Sequence, residues 1–304
     1  MQEASQPDAE GGPSRLGAWV LAARPPTLTA AATPVVVGTA VALHAGEAQA
    51  GPAAAAMLGA LAIQVGANLA NDVSDFRRGA DTADRIGPPR VTQLGILSER
   101  QVIGGLVVAF GIATLAGLYL IAVAGWPVLA AGVASMLAAI AYTGGPWPFG
   151  YHGLGDVFVF IFFGLVAVVG TYYVQAETIT AAAVAAAVPV GCTVTAILMV
   201  NNIRDIETDE AARKRTLAVI IGRQPARWLF VATVAAAYLT AAALAPIDGF
   251  GAWTLLAWVS IPLAVSPVRA VMTSTDGPTL NAALRATARL HLVLGVLLAV
   301  GLAV

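Results

Sequence analysis

Apolar runs of about 20 residues, almost free of charge, dominate this chain, and each is long enough to carry a helix across a hydrocarbon core about 30 Å thick. Composition agrees: 58% of residues are hydrophobic and 11% charged, where a soluble domain carries about 25% charged residues. That deficit leaves too little polar surface to face water. The predicted fold class is all-α, a polytopic membrane protein with about nine transmembrane helices around a central cavity. The spans are placed at 28–43, 52–69, 102–124, 127–142, 154–174, 179–200, 228–244, 250–271 and 287–304. Residues 1–23 are expected as a disordered cytoplasmic tail, and 24–304 as one transmembrane domain. A formal net charge of −1 offers no basic surplus for nucleic acid, which is excluded as a partner.

Charge sorts by loop. The tail and the even-numbered loops hold all 16 Lys and Arg, from Arg15 and Arg24 through Arg77, Arg78, Arg85 and Arg90 to Arg213, Lys214, Arg215 and beyond. The odd loops hold only acids, such as Glu47, Glu177 and Asp248. The positive-inside rule then puts the even loops and the N-terminus in the cytoplasm and the C-terminus outside, in a multi-pass protein of the cell (inner) membrane.

Two even loops are long and polar, and a related pentapeptide opens each: Asn71-Asp72-Val73-Ser74-Asp75 after the second span, Asn201-Asn202-Ile203-Arg204-Asp205 after the sixth. The duplication four spans apart suggests two four-helix halves plus a ninth helix. Asn68, Asp72 and Asp75 recur at helical spacing with Asn71 beside them; Asn201, Asp205 and Asp209 step by four. Carboxylates at a membrane boundary are costly unless paired or metal-bound. Hard oxygen donors of this kind suit Mg²⁺, which takes a few carboxylates and completes its shell with water and phosphate oxygens. The basic residues that follow each cluster would neutralise the rest of a polyphosphate.

These motifs carry a resemblance. Asn68 through Phe76, then Gly79-Ala80-Asp81 and Gly87-Pro88-Pro89-Arg90, resemble the first signature of the UbiA superfamily of membrane prenyltransferases, in the form of its naphthoate-directed branch. Asn201 through Asp209 with Lys214-Arg215 resembles the second; Arg24-Pro25-Pro26 resembles the motif before the first span, and Tyr142 with Gly153-Leu154-Gly155-Asp156 the fourth-to-fifth loop. Two positions depart from the pattern: Pro26 stands where a Lys is usual, and Arg213 where a Gly precedes Lys-Arg.

The resemblance implies transfer of a polyprenyl group from polyprenyl diphosphate to 1,4-dihydroxy-2-naphthoate, with Mg²⁺ as cofactor and the donor tail reaching membrane lipid. Its implied metal set is Asn71, Asp72, Asp75, Asn202, Asp205 and Asp209. The four aspartates, with Tyr142 as a π donor toward an allylic cation, are expected to carry the chemistry. Substrate contacts are expected from Arg24, Asn68, Asn71, Arg77, Asp81, Arg90, Asn201, Asn202, Lys214 and Arg215, with Asp156 either orienting the acceptor or capping a helix. Which aspartate is ligand and which is base stays open. Two alternatives follow from the same residues: another aromatic acceptor, such as 4-hydroxybenzoate or homogentisate, and a cation-coupled transporter. The transporter would need ionisable residues near the bilayer midplane, whereas these cluster at one face.

Overall fold

The computed structural model describes residues 13–79, 87 and 90–304. It is all-helical: α1 (Arg15–Ala23), α2 (Leu28–His44), α3 (Ala50–Arg77), α4 (Glu99–Ala124), α5 (Trp126–Ala141), α6 (Gly155–Ala176), α7 (Ala181–Arg204), α8 (Ile206–Ala211), α9 (Leu217–Ile221), α10 (Arg223–Ala242), α11 (Gly251–Thr273) and α12 (Gly277–Ala303). Among the described residues, eight helical stretches are long and apolar enough to cross a membrane, with α1 and α2 counted together. The expected fourth span, α5, is apolar but has only 16 residues. The tail is also revised. Residues 15–23 form α1, started by the Ser14 hydroxyl, which accepts from the Gly17 N–H at 3.2 Å. Residues 1–12 lie outside the described residues.

Local sequence explains the breaks. Arg24 adopts a left-handed conformation (φ 52°) that turns the chain from α1 into α2. Ser98 and Gln101 close a capping box at the start of α4. Asp276 caps α12. In lipid no hydrophobic force drives helix against helix, so close packing of small residues takes its place. A Cβ on Gly164 of α6 would stand 2.6 Å from the Gly191 Cα of α7, and one on Gly38 of α2 would stand 2.5 Å from the Val168 carbonyl oxygen. Any larger residue there would push these helices apart.

Helix α7 is the hub. It packs on α2, α6, α10 and α12, and most of its residues are buried. A second core joins α1, α3, α4 and residues 91–97. Large apolar side chains such as Val107, Leu115, Leu118 and Leu137 face outward, as lipid contact requires. The even loops meet at one end of the bundle, through Tyr151 to Asp75 and Arg227 to the Ser274 carbonyl. Loops one, five and seven meet at the other, through Gln49 to Gln175 and His44 to the Asp248 carbonyl. That alternation is what the loop parity of charge anticipates.

Candidate active site

A chamber of about 840 Å³ opens among α2, α3, α4, α5, α6 and both ends of α7. Its polar end holds Arg24, Asn68, Asn71, Asp75, Arg90, Tyr142, Tyr151, Asn201, Asp205, Asp209 and Lys214. Its other walls are aliphatic and aromatic, with Phe158, Phe162 and Phe163 on one side and Ala113, Gly117, Ala131 and Gly132 on the other, and it extends to Val184. From Asn201 to Val184 along α7 is about 25 Å at 1.5 Å per residue.

The first cluster sits on an α3 that continues unbroken to Arg77. Asn68 donates to the Ala23 carbonyl and the Thr27 hydroxyl, both at 2.9 Å, and so ties the α1–α2 corner to the chamber wall. Asn71 accepts from the Thr143 hydroxyl at 2.8 Å. Asp75 is held on both oxygens: Arg90 Nη2 donates to Oδ2 at 2.8 Å, and the Tyr151 hydroxyl donates to Oδ1 at 2.9 Å. In the second cluster α7 stops at Arg204 and Asp205 leaves helical geometry. The Asp205 N–H still reaches the Asn201 carbonyl (3.1 Å) and the Asp209 N–H the Asp205 carbonyl (2.7 Å). The four-residue step therefore survives the break, and all three side chains line the chamber. Lys214 pairs with Asp209 at 3.3 Å.

Five expected site residues point elsewhere. Asp72 is buried, but its carboxylate accepts the backbone N–H groups of Val91 (3.2 Å) and Thr92 (3.3 Å); it folds residues 90–97 back onto α3 and does not line the chamber. Asn202 and Asp156 line a separate, very small cavity with Met199, Leu217 and Ala226. Asn202 Oδ1 and both Asp156 carboxyl oxygens are buried there without a hydrogen-bond partner. Asp156 also makes no capping bond at the start of α6. Arg77 is exposed and paired with Glu99. Arg215 is exposed and contributes its backbone, whose N–H donates to the Tyr151 carbonyl at 3.1 Å. Asp81 lies outside the described residues. The two departures from the family pattern also stay off the chamber wall: Pro26 helps form the turn Pro25–Thr27, and Arg213 sits exposed at φ 58°, a backbone region that favours glycine.

Tyr151 was not anticipated. Its ring is within cation–π reach of two cations, 5.5 Å from Arg78 and 5.6 Å from Lys214. Its hydroxyl is on Asp75 and its carbonyl on the loop after α8, so one residue bridges both clusters. Arg78 secures the same loop by donating to the Thr143 and Gly145 carbonyls at 3.1 and 2.6 Å. The available signal was loop parity: Tyr151 lies in an even loop, on the side where both clusters emerge.

Burial and charge set the protonation states. Burial pushes Asp209 up to about 6, against Lys214, with Asp205 and Asp75 adding to the rise. Burial alone would lower Lys214, but Asp209, Asp75 and Asp205 outweigh it and raise it, so the ammonium persists. Burial, then Asp75, drives the Tyr151 hydroxyl well above the ordinary tyrosine range, which makes it a donor at neutral pH.

Among the described residues, no three His, Cys, Asp or Glu side chains converge into a closed metal cage. Mg²⁺ does not need one, since it is usually held by one or two carboxylates plus water and substrate phosphates. Asp75, Asp205 and Asp209, with the amide of Asn71, are hard donors of that kind. Asp209 Oδ2 is buried with no partner, a position that favours a cation.

Comparison with known proteins agrees with this architecture. The chain is 35% identical over 297 residues to a 1,4-dihydroxy-2-naphthoate octaprenyltransferase of Escherichia coli (strain K12), covering 95% of this chain and 96% of that one. It is 38% identical over 270 residues to the protein of the same name from Mycobacterium leprae, covering 88% and 90%. In fold it resembles a UbiA homolog from Archaeoglobus fulgidus described as bound to GPP and Mg²⁺, with a TM-score of 0.63, 14% identity, and coverage of 91% and 98%. The pattern of the UbiA prenyltransferase family matches residues 31–302, and this chain belongs to that family.

Proposed function

We propose that this chain transfers a polyprenyl group from polyprenyl diphosphate to 1,4-dihydroxy-2-naphthoate, releasing diphosphate and CO₂ and yielding demethylmenaquinol, the reduced form of demethylmenaquinone. The observation that carries the reading is the chamber: acids from two separate helix ends face one space with a half-buried lysine, and an apolar shaft leads away from them. The names of the relatives supply the acceptor. The segregation of Lys and Arg supports a cytoplasmic active site in the cell membrane.

Mg²⁺, held by Asp75, Asp205 and Asp209 with Asn71, would neutralise the diphosphate and stabilise it as a leaving group. Lys214 lies against Asp209 and stays cationic, so it is suited to take up the charge that grows on the departing diphosphate. Arg24 and Arg90 line the same polar end. Tyr151 donates to Asp75 and fixes that carboxylate while Arg90 holds its other oxygen. Tyr142 closes the polar end, its ring edge-on to Phe149 at 5.5 Å, where a π face suits the allylic cation left when the C1–O bond ionises. The aromatic walls keep water from that cation. The electron-rich naphthoate ring attacks C1, and loss of the carboxylate as CO₂ restores aromaticity.

The test is mass spectrometry of lipid made by the protein in nanodiscs from a polyprenyl diphosphate and dihydroxynaphthoic acid. A prenylated naphthoquinone that requires Mg²⁺ and disappears with chelator is expected. Product formed only from 4-hydroxybenzoate or homogentisate, run in parallel, would move the chain to another acceptor.

A further inference from the structure

We propose that Arg204 and Asn281 form a buried brace that sets the geometry of the second acidic cluster and makes the last helix part of the diphosphate site. The proposal rests on the Mg²⁺–diphosphate reading above.

Arg204 ends α7 and is 1% exposed, one of the largest fully buried side chains in the protein. Its Nε donates to Asp205 Oδ1 at 2.7 Å and its Nη2 to Oδ2 at 2.5 Å, a two-pronged grip on the carboxylate. The same Nη2 donates to Asn201 Oδ1 at 2.8 Å. Nη1 donates to Asn281 Oδ1 on α12 at 2.7 Å. One planar group thus touches two residues of the chamber wall and is itself held from the helix that ends the fold.

A guanidinium only donates, so the Asn201 atom facing it must be the carbonyl oxygen. Asn201 lines the chamber, and its NH₂ is therefore the group left to meet a ligand there. That assigns Asn201 as a donor to a phosphate oxygen. Asp205 is gripped along the side facing Arg204, so its remaining lone pairs serve the chamber. Lysine could not replace Arg204 in this arrangement, because an ammonium lacks the rigid fork that spans both carboxylate oxygens. Arg204 and Asn281 are positioning residues in this account: they act through Asn201 and Asp205.

The full-length protein in nanodiscs tests this with inorganic pyrophosphate and Mg²⁺, read as the ligand-induced shift in thermal midpoint and as donor KM and kcat separately. Asn281→Ala should weaken apparent Mg²⁺ affinity at least about 10-fold, the usual cost of losing a residue that orients a metal ligand. Asn281→Asp, which keeps an oxygen for Nη1, should restore it, and Arg204→Lys should weaken it further. A merely structural role would lower the midpoint without ligand and leave the Mg²⁺ dependence of the shift unchanged, which would overturn the brace. Wild-type affinity in Asn281→Ala and Arg204→Lys would do the same. If the wild-type protein gave no shift with Mg²⁺ and pyrophosphate, the functional reading and the brace would fall together.

Discussion

Tyr151→Phe deletes one oxygen atom and asks how much the link between the two clusters is worth. The ring stays, and with it the cation–π contacts of Arg78 and Lys214. What goes is the 2.9 Å bond to Asp75 Oδ1, while Arg90 continues to hold Oδ2. A hydrogen bond to a charged partner contributes about 1.5–3 kcal/mol. If that contribution is felt where Asp75 meets the metal–diphosphate, kcat/KM for the donor should fall about 10- to 150-fold at 1.36 kcal/mol per decade. Tyr151→Ala also removes two cation–π contacts, each about 0.5–1 kcal/mol at a partly exposed site, and should be worse than Phe by about 5- to 30-fold. The assay is initial-rate product formation by the protein in nanodiscs with donor varied and naphthoate saturating. A Phe variant within about twofold of wild type, or Phe and Ala variants that behave alike, would refute the bridging role given to Tyr151.

Three further outcomes separate the residues. Asp72→Ala strips the acceptor from two buried N–H groups, at about 1–3 kcal/mol each, so the thermal midpoint should drop while the Mg²⁺ dependence of the surviving activity stays unchanged; a raised Mg²⁺ requirement would return Asp72 to the metal. Asp156→Asn relieves a buried carboxyl with two unpartnered oxygens and should raise the thermal midpoint with activity kept; lost activity in a well-folded variant would give Asp156 the acceptor-orienting role. Burial holds Asp209 at about 6, and only its carboxylate form binds a cation, so Mg²⁺ affinity should be full above that pH and decline as pH falls through it. Titration of binding against pH checks the sign, and an affinity unchanged across that range would contradict it.

Much of the fold was legible because lipid leaves a chain little choice. A backbone in hydrocarbon must satisfy its own hydrogen bonds, so uncharged 20-residue runs become helices, and charge sorted by loop gave the alternation that the Tyr151–Asp75 and Gln49–Gln175 contacts display. Helix α1 was not legible. It is short and follows a polar tail, and its burial depends on tertiary contact: a Cβ on Gly105 of α4 would strike the Trp19 ring. Spacing grouped Asn68, Asn71 and Asp75 correctly on one wall, but it could not separate Asp72 from them. That separation depends on Val91 and Thr92 folding back from 19 and 20 residues away. Asn201 and Asn202 are adjacent and about 100° apart on a helix, so only the packing of α7 decides which faces the chamber. Arg204 read as a topology charge, since nothing in its neighbours foretells Asn281 on the last helix.

The central claim is that donors from the ends of α3 and α7 hold one divalent ion with its diphosphate. The most direct measurement is a crystal structure with Mn²⁺ in place of Mg²⁺ and a non-cleavable prenyl thiolodiphosphate, with the ion located by its anomalous scattering. The account predicts a peak between Asp75 on one side and Asp205 and Asp209 on the other, with the prenyl chain along Phe158 and Phe162. Peaks confined to one cluster, or beside Asp72 or Asp156, would contradict it.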